Sequence, residues 1–322
     1  MISPEEISVV VQGPILNDLT RNTCESIRRY LPGAEIVVST WKGSDVSGLS
    51  CDVLVESKDP GNFTFVLPQV MDNGSDLYQM NINRQILSTA NGVKCASRKY
   101  VCKLRSDSVF TGIGFLSIYE RYNQPISEPY HSLLRHRVVT LSSVNPNRHF
   151  PFCFYLCDWF FFGLKEDVLA IWDIPLVEEG KLVKNTYDGR YHMKENFGNE
   201  QFLWLGFLRK CGGVEIKTGY DLNDKLLNQS QESYANCCIF TTAKQAGIYS
   251  QKVKNTGYGA PSWKSNAGLY TVTDWKKMYN QYCGGNLIAI HNPLEEIAYR
   301  GVQMIRRNKK RVWVRKLLEN LK

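Results

Sequence analysis

Residues 7–12, I-S-V-V-V-Q, form an almost unbroken apolar run that Gly13-Pro14 cuts off. A strand that is apolar on both faces has to be covered on both, the condition of an inner strand in a sheet flanked by helices. The next segments supply that cover. Residues 22–30, N-T-C-E-S-I-R-R-Y, have helical spacing and stop at Pro32-Gly33. Residues 34–40, A-E-I-V-V-S-T, predict a second strand, and Cys51–Glu56 a third, short one. Residues 82–96 carry Ile86, Leu87, Ala90 and Val93 at helical spacing and lead into a further strand from Tyr100. Strands alternating with helices in this way predict a parallel, doubly wound α/β sheet.

That further strand ends unusually. In Y-V-C-K-L-R-S-D-S-V-F, residues 100–110, Lys103, Arg105 and Asp107 fall within a segment that is otherwise apolar. Buried charge is costly unless it is paired or used. Ligands of doubly wound sheets bind beyond the carboxyl ends of the strands, and these charges sit at such an end. The alternative is a structural ion pair closing the strand.

The second half is less regular. Residues 152–164 predict a strand or strand pair with Asp158-Trp159 in its middle, and residues 197–211 a helix closed by Gly212-Gly213. Residues 287–290 predict a short strand ending at His291-Asn292-Pro293, and the pattern is helical from there on. The chain of 322 residues, 43% apolar and 22% charged, is long enough to bury a large core and is not disordered in composition. Its net charge of +8 is local. Residues 300–322 hold nine Lys or Arg against one Glu, which leaves thirty of each sign elsewhere. A neutral body without a basic, aromatic-interleaved face argues against nucleic acid. No segment has the length of a membrane span, and the N-terminus is unlike a secretory signal. The ten cysteines include no C-x-x-C pair and read as reduced and mostly buried, in a cytoplasmic protein. Cys153 and Cys157 alone make at most half a zinc site.

Four strings carry a family resemblance: V-V-Q-G-P-I at 10–15, I-V-V-S-T-W-K-G-S-D at 36–45, N-I-N-R-Q-I-L-S-T at 81–89 and K-L-R-S-D at 103–107. Together they resemble the WavE family of lipopolysaccharide-synthesis proteins and, more broadly, the GT-A glycosyltransferases. The likeness is strongest over residues 7–110 and continues in order to His291. It implies a GT-A-like single Rossmann-type domain over residues 1–292, with a mixed central sheet, and a helical C-terminal extension over 293–322.

The resemblance also implies a site. A D-x-D motif in such enzymes holds Mg²⁺ or Mn²⁺ against the diphosphate of a sugar nucleotide, where a Lewis acid stabilises the departing charge. Here the second Asp falls on Asp107 and the first on Arg105, which cannot ligate a metal. Either Asp107 works with a distant ligand, or Arg105 and Lys103 take over part of the cation's charge. GT-A enzymes often carry a late His as a further metal ligand, and His291, after a predicted strand, is the candidate for it; a lone His otherwise reads as structural. Gln12, Gly13 and Pro14 are implied to line the base and ribose, Asp45 to hold ribose hydroxyls, and Arg84 to contact the nucleotide; Asp45 and Arg84 otherwise read as solvated surface groups. Glu200, in the first turn of a helix, is placed to act as base on the acceptor hydroxyl, with Asp158 as the second candidate. Trp159 is placed to stack on a sugar, although a core tryptophan is the plainer reading.

The basic tail carries Val314, Leu317, Leu318 and Leu321 on one helical side and Trp313 near them. Such a segment suits an anionic membrane surface, or else docks on its own domain. The expectation is a nucleotide-sugar glycosyltransferase acting on a lipid-linked acceptor at the inner face of the membrane. The alternatives are a nucleotidyltransferase, whose Gly-rich first loop is missing from Q-G-P-I-L-N-D, and a non-catalytic binding module.

Overall fold

The computed structural model describes residues 2–66, 77–124, 126, 128–142, 153–177, 182–184, 191–193, 198–217, 219, 221–250, 270–290 and 297. In chain order the principal elements are β1 (Ile7–Gln12), α1 (Asp18–Tyr30), β2 (Glu35–Trp41), β3 (Val53–Ser57), β4 (Phe63–Val66), β5 (Leu77–Met80), α2 (Ile82–Cys95), β6 (Tyr100–Arg105), β7 (Ser108–Phe110) and α3 (Gly114–Tyr122). There follow β8 (Val138–Leu141), β9 (Phe160–Leu164), α4 (Lys165–Trp172), β10 (Leu182–Lys184), β11 (Tyr191–Met193), α5 (Asn199–Leu208), α6 (Asp224–Cys237), β12 (Cys238–Thr241), α7 (Ala243–Ala246), β13 (Ile248–Ser250) and α8 (Val272–Cys283).

Seven strands make one sheet in the order β3-β2-β1-β6-β9-β8-β12. β1 pairs in parallel with β2 and with β6, β2 with β3, and β8 with β12. β9 runs antiparallel to both of its neighbours, so the sheet is mixed. This is the mixed sheet that the family resemblance implies; the strand–helix alternation alone implies a parallel one, and β9 departs from it. The inner strands are buried over most of their length, as their apolar runs require: every residue of β1, β8 and β9 is buried, and only the end residues of β2 and β6 are half-buried. β7 continues from β6 but pairs with β13 outside the sheet.

Helix α2 lies close over β1 and β2 because Gly92 permits it. A Cβ at that position would come 2.5 Å from Val10 Cγ1 and 2.9 Å from Ser39 Cβ. The approach carries the opposite end of α2, with Arg84, Gln85 and Ser88, to the carboxyl ends of the strands.

Three sequence readings are corrected. α1 begins at Asp18, one turn before the predicted start. Only the last part of residues 152–164 is a strand; the chain before Phe160 is irregular, with Phe154 at φ 62° and its N–H donated to Ser230 Oγ. Residues 287–290 join no strand; Leu287 is held by Asn280 through both of its backbone groups, at 2.7 and 2.8 Å, while Ile288 and Ile290 are 77% exposed. The predicted division at residue 292 and the helical extension beyond it lie outside the described residues. All ten cysteines are free, six of them buried.

Replacing Gly92 with alanine should force α2 off the sheet. Overpacking of this kind costs about 1–3 kcal/mol, to be read as a lower midpoint in chemical denaturation.

Candidate functional site

The carboxyl end of β1 is stapled to that of β6 by Ser106. Its N–H donates to Gln12 O at 3.0 Å and its hydroxyl to Pro14 O at 2.7 Å. Its carbonyl accepts from Thr20 and Thr23 of α1, at 3.2 and 3.1 Å. Gly13, at φ 124°, turns the chain directly over that hydroxyl, and a Cβ there would lie 3.0 Å from Ser106 Oγ. With the β1–β6 register this places Gln12 beside Arg105.

A cleft opens at this point. Its walls are Gln12, Gly13, Pro14 and Leu16 after β1, Trp41 at the end of β2, Asn81, Arg84, Gln85 and Ser88 at the start of α2, and Arg105, Ser106 and Asp107 after β6. Five of the residues expected from the sequence to hold a donor are thus brought together with Asp107: Gln12, Gly13, Pro14, Arg84 and Arg105. Ser88 donates its hydroxyl to Gln12 Oε1 at 2.8 Å and fixes that amide.

Arg105 and Asp107 form a bidentate pair. Nε donates to Oδ1 at 2.9 Å and Nη2 to Oδ2 at 2.8 Å, with both side chains about four-fifths buried. Burial works against the Arg105 charge, but the bonds to Asp107 outweigh it and hold the guanidinium more firmly protonated. Its carbon lies 5.8 Å from the centre of the Trp159 ring. Arg84 is fixed in the same manner: Nε bonds Asp59 Oδ1 at 2.6 Å, Nη2 bonds Asp59 Oδ2, and Nη1 donates to Asn62 at 2.6 Å. Those bonds hold the Asp59 carboxyl below its usual range.

Because β9 runs against β6, its amino end meets the carboxyl end of β6, and Asp158-Trp159 arrives beside Arg105. Asp158 is 4% exposed and its Oδ1 accepts no hydrogen bond from a described residue. Helix α5 docks its first turn on the same segment, Gln201 donating to Cys153 O at 2.8 Å and to Gly219 O at 3.0 Å. Burial chiefly, and then the Asp158 and Glu200 carboxylates, push the Cys157 thiol far up.

Lys103 does not reach the cleft. It is 1% exposed, donates to the backbone carbonyl of Asp158 and lies 4.7 Å above the Trp172 ring. Burial pushes its pKa down to about 8, against the pull of Asp158. Asp45 is not brought to the cleft either. It stands on the exposed loop after β2, where Ser47 donates to it from its hydroxyl at 2.6 Å and its N–H at 3.0 Å and lowers its pKa. His291 lies outside the described residues. Sequence reasoning passed over Trp41, Gln85 and Ser88, although Trp41 directly follows a predicted strand and Ser88 follows Arg84 by four residues on a helix, hence on the same face.

The described residues do not fit a divalent cation. No three His, Cys, Asp or Glu side chains gather among them, and both Asp107 oxygens face a guanidinium.

The model of the WavE lipopolysaccharide synthesis family matches residues 7–313. The chain belongs to that family. The WavE match spans both the cleft and the segment from Asp158 to Glu200. Among solved structures the chain is similar to the glycosyltransferase GlyE of Streptococcus pneumoniae TIGR4, at 12% identity and a TM-score of 0.32. The alignment covers 91% of this WavE chain and 62% of GlyE, and at that level it decides nothing further. No curated protein matches. Among the described residues no helix is long and apolar enough to cross a membrane.

The Lys103 shift has a consequence for stability. Between about 8 and 10.5 the unfolded chain binds a proton at Lys103 that the folded chain lacks, so raising the pH through that window favours the fold. Denaturation midpoints should therefore rise more in the native chain than in Lys103→Met over this window. Parallel pH profiles would show that the ammonium is not penalised by burial.

Proposed function

We propose that this chain is a glycosyltransferase that moves a hexosyl or related sugar from a nucleotide-sugar donor to a lipid-linked glycan acceptor in bacterial lipopolysaccharide, O-antigen or capsule synthesis. One observation carries the reading: a cleft at the carboxyl ends of β1, β2 and β6 holds two oriented guanidiniums beside a tryptophan and a fixed amide. That is where doubly wound sheets bind nucleotides. The family match supports the pathway.

In this reading Gln12, Gly13, Pro14 and Trp41 face the nucleoside, Arg84 and Arg105 the phosphates, and Trp159 the sugar. The acceptor oxygen forms its bond to the anomeric carbon as the bond from that carbon to the phosphate oxygen breaks, and the electron pair leaves on the nucleotide. Glu200, in the first turn of α5, takes the acceptor's proton. Asp158, more deeply buried, is the second candidate. The basic residues 300–322 hold the chain to the inner face of the membrane, where a lipid-linked acceptor is confined.

A panel of nucleotide sugars, assayed for hydrolysis and for transfer to lipid-linked saccharides, tests the activity. Glu200→Gln should keep donor binding and lose transfer by roughly 100-fold or more, the scale of general-base catalysis. Equal loss of donor affinity would move Glu200 to the nucleotide site, and the same pattern from Asp158→Asn would make Asp158 the base. Deleting residues 301–322 should release the protein from anionic vesicles and spare donor hydrolysis, and vesicle binding by the native chain should weaken with salt. Full vesicle binding by the truncated protein would refute the anchor.

A further inference from the structure

Two arginines line the cleft, and both are oriented alike. Arg105 presents its Nε–Nη2 edge to Asp107, and Arg84 presents the same edge to Asp59. A guanidinium has five N–H groups in a planar fork. Two of Arg105's are spent on Asp107, which turns the remaining Nη donors away from the carboxylate. Arg84 spends a third on Asn62 and keeps the other Nη donors. The Trp159 ring beside Arg105 further restricts the plane of its fork. Each aspartate therefore acts as a clamp that sets a guanidinium in place before any ligand arrives.

A divalent cation would need Asp107 for itself. To bind one, the carboxylate would have to give up both bonds to Arg105 and leave a buried guanidinium unpaired beside the incoming charge. Position 105 offers a fork where a second carboxylate would stand, and no cluster of ligating side chains lies among the described residues.

We propose, resting on the reading of this cleft as a nucleotide-sugar site, that the charge of the donor's diphosphate is taken by the clamped pair Arg84 and Arg105, with no cation bridging the phosphates. In this arrangement Asp107 and Asp59 are positioning residues. Their carboxylates pre-orient the forks, so the guanidiniums meet the phosphates without first losing rotamer freedom. As the sugar departs, the added charge on the leaving nucleotide falls on donors that are already aimed at it.

The test is equilibrium binding of UDP, GDP, ADP and dTDP, each beside its nucleoside, to the full chain in EDTA and in Mn²⁺. At least one diphosphate should bind equally well in both, and more tightly than its nucleoside. Arg105→Gln should weaken that diphosphate by about tenfold or more, the worth of a charge-assisted pair of hydrogen bonds, and leave the nucleoside's affinity unchanged. Arg105→Lys should recover only part, because it returns the charge without the fork. Binding that appears only with Mn²⁺, or an Arg105→Gln chain of unchanged melting behaviour that binds as before, would overturn the proposal and leave the nucleotide-sugar reading standing. If no diphosphate binds in either buffer, both fall. The comparison of EDTA with Mn²⁺ uses the native chain and holds even if a variant fails to fold.

Discussion

Ser106 is where the two halves of the cleft are tied together. Its N–H, hydroxyl and carbonyl are all engaged, to Gln12, Pro14 and the two threonines of α1. With 3% of its surface exposed, it cannot lose the bond from its N–H or from its hydroxyl without leaving a buried donor unpaired. Because β1 and β6 are parallel and in register, the staple brings the glycine turn after β1 against the charged turn after β6. Arg105 and Asp107 flank Ser106 on the chain, and their pairing across it completes the rim.

The three charges at the end of β6 meet two fates, Lys103 buried and Arg105 paired with Asp107 at the rim, and strand geometry explains why. Side chains two apart share a face, so Lys103 and Arg105 point the same way, but Lys103 lies about 6.6 Å further back along the strand. There it is under α4, whose Trp172 covers the ammonium. Arg105 stands at the tip, where the cleft begins. The buried lysine still bears on the site, since the carbonyl it holds belongs to Asp158, and that segment delivers Trp159 to Arg105.

Much of the sheet was legible because its signals are local. The apolar runs of β1, β2 and β6, with their Gly, Pro or charged stops, sit where the sequence predicts, as does α2. The direction of β9 was not legible: no residue within F-F-F-G-L states which way the strand runs, and pairing across the sheet decides it. Residues 287–290 show the converse, an apolar segment that finds no partner strand among the described residues. Of the residues singled out by their motif positions, Gln12, Gly13, Pro14, Arg84, Arg105 and Asp107 line the cleft. Lys103 was misplaced because spacing along a strand does not reveal what covers it. Asp45 was expected from a loop position alone, and its own neighbour Ser47 holds it outside.

The central claim is that this cleft takes the nucleotide of an activated sugar, with its phosphates on Arg84 and Arg105. The most direct measurement is a crystal structure of the full chain with a tightly bound nucleoside diphosphate. The account predicts the diphosphate within hydrogen-bond reach of both guanidiniums, Asp107 and Asp59 still holding their arginines, and the nucleoside between Gln12 and Trp41. A nucleotide bound elsewhere on the chain, with the cleft between β1 and β6 left to solvent, would contradict it.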